Sequence, residues 1–598
     1  MRNLTIAGFA RQLIVPVFIG LVLLTTALQT AQAAGDSAAF KAIYEKEWAF
    51  RMKEFPLFAS YAGMDEYQDQ LGDVSEEAHL RRNEFWKGIR SQLNAISCER
   101  LDRDDCINYR IFVKQMDNFL AEYDTRAYLI PFTSDTGFYM ELGRLPDESK
   151  LSSLQDYRNY LARLHAMPAL MDQYIALMRT GIEQGITQPQ VILAGRDEPI
   201  KAQLVGSAEE SPFYAPFQDL PESVAGGEKA ELLATAESVI ADEVIPAWQR
   251  LYDFFNQEYL PGARQTLGAT ELPDGKAFYQ ARIRQYVTLD MTAGEIHQIG
   301  VEQVARIRQE MEAIIDEVEF EGSFADFLQF LRTDPQFYAR TPKELLAHAS
   351  YYAKKIDGRL PMLIGHLPRQ PYGVAPVPEA IAPFYTSGRY VGAPLEALRG
   401  GYYWVNTHDL KSRPLYAIPA LTLHEGAPGH HTQGALALEQ ADQPPFRRYD
   451  YISAYGEGWG LYSEKLGLEM DIYETPYDHF GRLTYEMWRA CRLVIDTGIH
   501  AMGWTRQQAL DFLLSNTALS VHEVTTEIDR YISWPAQALS YKLGEYTLWQ
   551  LRGRAEQDLG EDFDIREFHD FILSLGSVPL DVLSDETGRW ITQQQKKG

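Results

Sequence analysis

The chain has 598 residues, 45% of them hydrophobic, and a formal net charge of -27. That is ample apolar material for a large buried core. The acid excess repels nucleic-acid phosphates and anionic lipid surfaces, so neither is an expected partner. At the N-terminus, Arg2 and Arg11 precede an apolar run from Leu13 to Leu28, and Ala31-Gln32-Ala33 follows as a small-x-small cleavage signature. Residues 1–33 read as a secretory signal peptide and 34–598 as one domain, exported and periplasmic, without stable membrane association once the leader is removed. No cysteine sits at the cleavage point, which disfavours a lipid anchor.

From Phe40 to Ile130 apolar residues recur three and four apart, as they do from Tyr157 to Ile186 and from Ala230 to Tyr259, and each segment reads as helical. Cys98 and Cys106 are close enough in sequence to form a local disulfide in an oxidising compartment, whereas Cys491 reads as a buried free thiol. Arg282 to Leu289 alternates as a strand does. Thr292-Ala-Gly-Glu295, Thr341-Pro342-Lys-Glu344 and Thr505-Arg-Gln-Gln508 are helix starts of the capping-box kind. Residues 361–400 are rich in proline, glycine and tyrosine and read as a long ordered loop. Gly401 to Asn406 then reads as a short strand, able to pair with an extended peptide. His479 to Gly503 and Glu523 to Leu559 read as long helices. The expected class is mainly α with a small β element.

Three of the 13 histidines fall within eight residues, in His424-Glu425-Gly426-Ala427-Pro428-Gly429-His430-His431. A His-Glu pair supplies a zinc ligand and a general base from adjacent positions. The usual H-E-x-x-H pattern places its second histidine four residues on, and here Pro428 stands there. In a straight helix His430 lies about 120° away from the His424 face, and His431 lies on that face but about 10.5 Å along. A bulge at Pro428-Gly429 re-aims His430, and His431 remains its rival. A catalytic zinc needs a third protein ligand. Glu457, flanked by Gly456, Gly458 and Trp459, is the candidate, with Glu464 on the same helix face. Arg489, Arg492, Asp496 and His500 recur on one apolar helix and read as buried ligand-orienting groups, as a seat for a substrate carboxylate, or as a surface ion-pair row. Tyr531 and Tyr541 are candidate oxyanion donors.

The ordered motifs His-Glu-x-x-Pro-Gly-His, Glu-Gly-Trp, Arg-x-x-x-Asp-x-Gly-x-His and Gln-Ala-Leu-Ser-Tyr-Lys, with Tyr403-Trp404-Val405-Asn406 before them, resemble the bacterial domain-of-unknown-function family 885. That family is similar to the helical zinc peptidases, the group of carboxypeptidase Taq, angiotensin-converting enzyme and the thimet-type oligopeptidases. The resemblance implies a large helical gluzincin-like fold with two lobes around a deep channel. It implies Zn2+ held by His424, His430 and Glu457, with Glu425 as base. Asn406, Glu464, Arg492, Asp496, His500, Gln537 and Lys542 would stand around the site or the substrate. The family's Pro-Gly-Gln is Pro535-Ala536-Gln537 here, so the turn at that point is in question. The expected activity is hydrolysis of short peptides. The rivals are a metal-dependent amidase, a di-iron protein and an inactive helical binding protein. A di-iron bundle wants two Glu-x-x-His pairs, and only Glu76 to His79 fits.

Overall fold

The computed structural model describes residues 35–221, 224, 227–379, 381–395, 398–440 and 442–597; the leader expected at 1–33 lies outside them. The described chain is mainly helical with one three-stranded sheet. Among the described residues no helix is long and apolar enough to cross a membrane.

The helices used below are α1 (Leu154–Gln184), α2 (Ala293–Glu317), α3 (Pro342–Arg359), α4 (Ile418–Glu425), α5 (His430–Leu438), α6 (Ser453–Glu469), α7 (Pro476–Met502), α8 (Val521–Ser533) and α9 (Ser540–Leu559). Their starts follow local chemistry. Ser153, Thr292 and Thr475 each accept from the amide three residues on while an acid at that position bonds back. Thr341 caps α3 in front of Pro342. Helix α1 ends at Gly185 and α7 at Gly503, both left-handed. Cys98 and Cys106 are bridged, and Cys491 is a buried free thiol.

The strand expected at Arg282–Leu289 is instead the end of a helix, Gly275–Val287. Its buried residues Phe278, Tyr279, Ile283 and Val287 lie four apart where they matter, so the helical period outweighs the short alternation. The segment 361–400 is not only loop. It carries β1 (Tyr372–Pro376) and β2 (Gly388–Val391), which flank β3 (Gly401–Val405) in the order β1-β3-β2. Strand β1 runs parallel to β3 and β2 antiparallel to it. With both edges of β3 occupied, the expected pairing of a peptide with that strand is ruled out; the outer edge of β2 is the one beside α4. The long segment from Glu523 to Leu559 is broken at Trp534–Leu539 into α8 and α9.

Helix α7 is the centre of the molecule. Every residue from Phe480 to His500 is buried, as expected of a helix packed on all sides. It lies along α2, and α6 lies along α9. A buried charge therefore needs partners, and α7's charges have them. Arg482 pairs with Glu486 at 2.6 Å, and Glu486 also receives Arg306 and, at 2.8 Å, Lys542. Lys542 reaches Glu545 at 2.7 Å. The surface ion-pair alternative for this helix is thereby excluded.

The turn at Pro535-Ala536-Gln537 survives without glycine. Ala536 has φ +68°, the left-handed region, which costs a residue with a Cβ about 1–2 kcal/mol. The Asp496 carboxyl holds it there: Ala536 N–H donates to both of its oxygens at 3.1–3.2 Å, and Tyr279 Oη donates to Oδ1 at 2.6 Å. Asp496→Ala leaves two buried donors unpaired and releases the strained turn. It should lower unfolding stability by about 2–4 kcal/mol, read as a fall in the urea midpoint; an unchanged midpoint would refute the pinning role.

Candidate metal centre

Helix α4 is interrupted where the sequence carries Gly426-Ala427-Pro428-Gly429. It stops at Glu425 and α5 restarts at His430, with a cis bond before Pro428. Hydrogen bonds bridge the interruption: Gly429 N–H reaches Leu423 O at 3.1 Å and His431 N–H reaches Gly426 O at 3.2 Å. From α6, Trp459 Nε1 donates to Pro428 O at 2.8 Å and pins the loop. Gly429 is needed, since a Cβ there would collide with the Leu423 and His424 carbonyls.

The interruption turns His430 toward His424. Their rings stand at 87° with centroids 4.8 Å apart. Glu457 Oε2 lies 3.5 Å from His424 Nε2 and 3.4 Å from His430 Nε2. All three donor atoms fall within 4.8 Å of one another, and among the described residues no other group of three potential ligands does so. Glu76 and His79 join no such group; His79 stacks on Tyr128. His431 turns away. It is buried, packs on Tyr372 and Tyr390, and has Nδ1 3.2 Å from Tyr390 Oη. Burial pushes its ring down to about 4.

Glu464, two turns after Glu457 on α6, meets the far side of the His424 ring: Nδ1 to Oε1 is 2.8 Å, with both side chains almost wholly buried. The carboxylate accepts the Nδ1–H hydrogen bond and so turns Nε2 toward Glu457. Arg489 stands 3.7 Å from the same oxygen. The approach of α6 requires small residues. A Cβ on Gly460 would lie 2.8 Å from His424 Cε1 and Nε2, and Gly458 meets Gly544 of α9 backbone to backbone.

The electrostatics ask for a cation. Burial alone would favour a neutral His424, but Glu457 and Glu464 reverse this and push the ring up to about 9. Burial alone would raise the Glu457 carboxyl, but the two histidines hold it well below the usual carboxylate range. A tetrahedral zinc with bonds of about 2.0–2.1 Å separates its ligand atoms by about 3.3–3.5 Å. The two His–Glu separations match that edge, and two imidazoles with one carboxylate are a zinc donor set. The residues present fit the metal.

Glu425 sits beside His424 with one carboxylate oxygen fixed: Tyr390 N–H of β2 donates to Oε2 at 2.8 Å. Among the described residues Oε1 takes no protein donor. Tyr541 is half-buried, its ring 4.3 Å below the Arg492 guanidinium, and its hydroxyl has no partner among the described residues.

Other sequence candidates lie elsewhere. The Tyr531 hydroxyl is buried, accepts from Trp488 Nε1 and Arg492 Nε, both at 2.9 Å, and donates to the Glu527 carboxylate, so it is spent in the core. Arg492 extends to Glu527 at 2.9 Å. Asp496 pins Ala536, and burial pushes its carboxyl up to about 7. His500, fully buried, accepts from Ala269 N–H at Nδ1 and donates from Nε2 to Tyr531 O. Asn406 donates to the Ala382 and Tyr385 carbonyls and clamps the loop before β2. Gln537 accepts from Arg530 at 2.5 Å, and Lys542 belongs to the buried ion cluster. For these the geometry assigns a structural task and no seat for a substrate carboxylate.

Two neighbours of the centre escaped the sequence reading. Tyr451 Oη donates to Glu457 Oε1 at 3.1 Å and is largely exposed. Arg389, on β2, is held above its ordinary range: burial opposes its charge, but Tyr385, Glu425 and Glu457 favour it. Both lie in loop-like sequence with no period to flag them.

The chain matches the family described as bacterial protein of unknown function (DUF885) over residues 56–586, and it belongs to that family. It is similar in structure to a putative lipoprotein from Colwellia psychrerythraea, with 28% identity, 93% of this chain and 99% of that chain covered, and a TM-score of 0.85. It also shares its fold with a putative lipoprotein of unknown function from Shewanella oneidensis, at 19% identity, 92% and 98% coverage, and a TM-score of 0.71. No curated protein matches the chain.

Replacing Glu464 by Gln keeps the shape of the site and removes the proton acceptor behind His424. Zinc affinity should fall about 10–100-fold, measured by competition with a chromophoric chelator. Unchanged affinity would show that Glu464 does not orient the ring.

Proposed function

With family membership as the premise, we propose that this chain is an exported zinc-dependent peptidase acting on short peptides. The observation that carries the reading is the convergence of His424, His430 and Glu457, with Glu457 Oε2 at 3.5 and 3.4 Å from the two Nε2 atoms, the length of a tetrahedral zinc edge, and all three donors within 4.8 Å. The three side chains would hold Zn2+. When bound, the metal supplies Lewis acidity, which makes a water acidic near neutral pH and draws electron density from a carbonyl.

The chain's own groups supply the rest. Glu425 is oriented by Tyr390 N–H and keeps Oε1 free, so it accepts the proton of the attacking water and returns it to the departing amine. Tyr541 keeps a free hydroxyl beside Arg492 and donates to the developing oxyanion. Tyr531, with its hydroxyl consumed, supports Arg492 instead. Glu464 and Arg489 keep His424 aimed. The outer edge of β2, adjacent to Glu425, is the strand a peptide backbone would meet.

Export rests on the leader pattern at residues 1–33, and two structural neighbours are described as putative lipoproteins. This chain has no cysteine at its cleavage signature, which disfavours a lipid anchor.

The test is mass-spectrometric profiling of a mixed peptide library with zinc-loaded protein, with and without chelator. Wild type should cleave short peptides, chelator should stop it, and Glu425→Gln should lose about 10²–10⁴-fold in kcat with one zinc per chain retained. Full activity of Glu425→Gln would falsify the assignment.

A further inference from the structure

A cavity of about 300 Å3 lies against α4, the helix that carries His424, within the size range of small-ligand sites. Its apolar wall includes Leu345 of α3 and Ile418 and Leu421 of α4. Leu421 is one helical turn before His424, about 4.5 Å along the axis. The cavity and the proposed centre therefore share the helix that carries both His424 and Glu425.

Its polar groups are poorly matched within the protein. The Arg413 Nε is buried without a partner, and so is the hydroxyl of Thr484, a residue only 2% exposed. Lys411 has no ion-pair partner among the described residues. Arg332 donates only to backbone carbonyls, of Leu514 at 3.1 Å, Leu519 at 3.0 Å and Thr517, so its charge meets no carboxylate either. One acid lines the space, Glu523, and its carboxyl makes no hydrogen bond or ion pair among the described residues. Burial pushes that carboxyl up to about 7, against the pull of Arg413. Helices α4 and α8 both begin here, at Ile418 and Val521, and helix starts carry partial positive charge. In a chain of net charge -27 this is a locally cationic cavity with buried donors left over. A buried donor without an acceptor is costly, and a carboxylate is a ligand that would satisfy the buried Arg413 Nε, with the exposed Lys411 ammonium on the same lining adding a second cation.

We propose that this cavity receives the C-terminal residue of the peptide substrate, its free carboxylate held by Arg413 and Lys411 and its side chain against Leu345, Ile418 and Leu421. The protein then trims short peptides from the carboxyl end. This inference rests on the peptidase reading above and adds the end of the chain that the site recognises.

The experiment compares matched short peptides ending in a free acid or an amide, cleaved by zinc-loaded wild type, Arg413→Gln and Lys411→Met. Wild type should prefer the free acid by at least about ten-fold in kcat/KM, the size of one lost charge-assisted contact. Each substitution should bring the acid-to-amide ratio toward one, mainly through KM. Equal cleavage of acid and amide by wild type, or a ratio unmoved in both variants, overturns the proposal. If wild type cleaves neither peptide, the peptidase reading is the one that falls. The cavity is then judged by melting temperature with added leucyl-leucine and its amide. A rise given by the free acid alone and lost in Arg413→Gln supports a carboxylate seat, and no rise in wild type overturns it.

Discussion

The buried hydrogen bond between Glu464 and His424 is the constraint on which the site depends. A carboxylate this deep is tolerated only when paired, and the pairing settles which ring nitrogen is free and where it points. Helix α6 then does two tasks from one face, because Glu457 and Glu464 are seven residues apart. One orients His424 from behind while the other meets it in front. That arrangement demands a close approach of α6 to α4 on one side and to α9 on the other. Gly460 and Gly458 provide the two clearances. Helix α7, buried from Phe480 to His500, backs the pair with Arg489.

Charge is distributed with the same logic. Glu425, Glu457 and Glu464 gather around two histidines, an excess of acid that a divalent cation would balance. Away from that point, the neighbouring cavity has the opposite sign, with Arg332, Lys411 and Arg413 against Glu523 alone. A strongly acidic chain thus sets a cluster of acids and histidines and a cavity with more cationic than acidic side chains along a single short helix.

Much of this was legible before any coordinates, and the reason is locality. Capped helix starts at Thr292, Thr341 and Thr505 announce themselves within four residues. The trio His424, His430 and Glu457 stood out because such residue types rarely cluster among apolar neighbours without a task. What failed was non-local. The alternation at Arg282–Leu289 resembles a strand until Ile283 and Val287 are seen to continue the face begun by Tyr279. Strands β1 and β2 were hidden in a proline-rich stretch because their pairing partner β3 lies outside it. Asp496, His500, Lys542 and Asn406 were expected around the site or its substrate, and sequence does not say what such polar groups meet; their partners are backbone groups and distant acids. The amide of Tyr390 that fixes Glu425 has no side-chain signature at all.

The interruption at Gly426–Gly429 has one more consequence. In an unbroken helix the pitch dictates how far apart two histidines stand, and no substitution along the helix alters it. Here His424 and His430 begin on separate helical segments joined by a loop that Trp459 fastens from outside. Their separation is a tertiary quantity, adjustable by changes in the loop or in the residue that fastens it, while His424 and Glu425 stay fixed to each other. The spacing of the two histidines can therefore change without moving Glu425 relative to His424, and a search for a fixed histidine spacing would pass over such a chain.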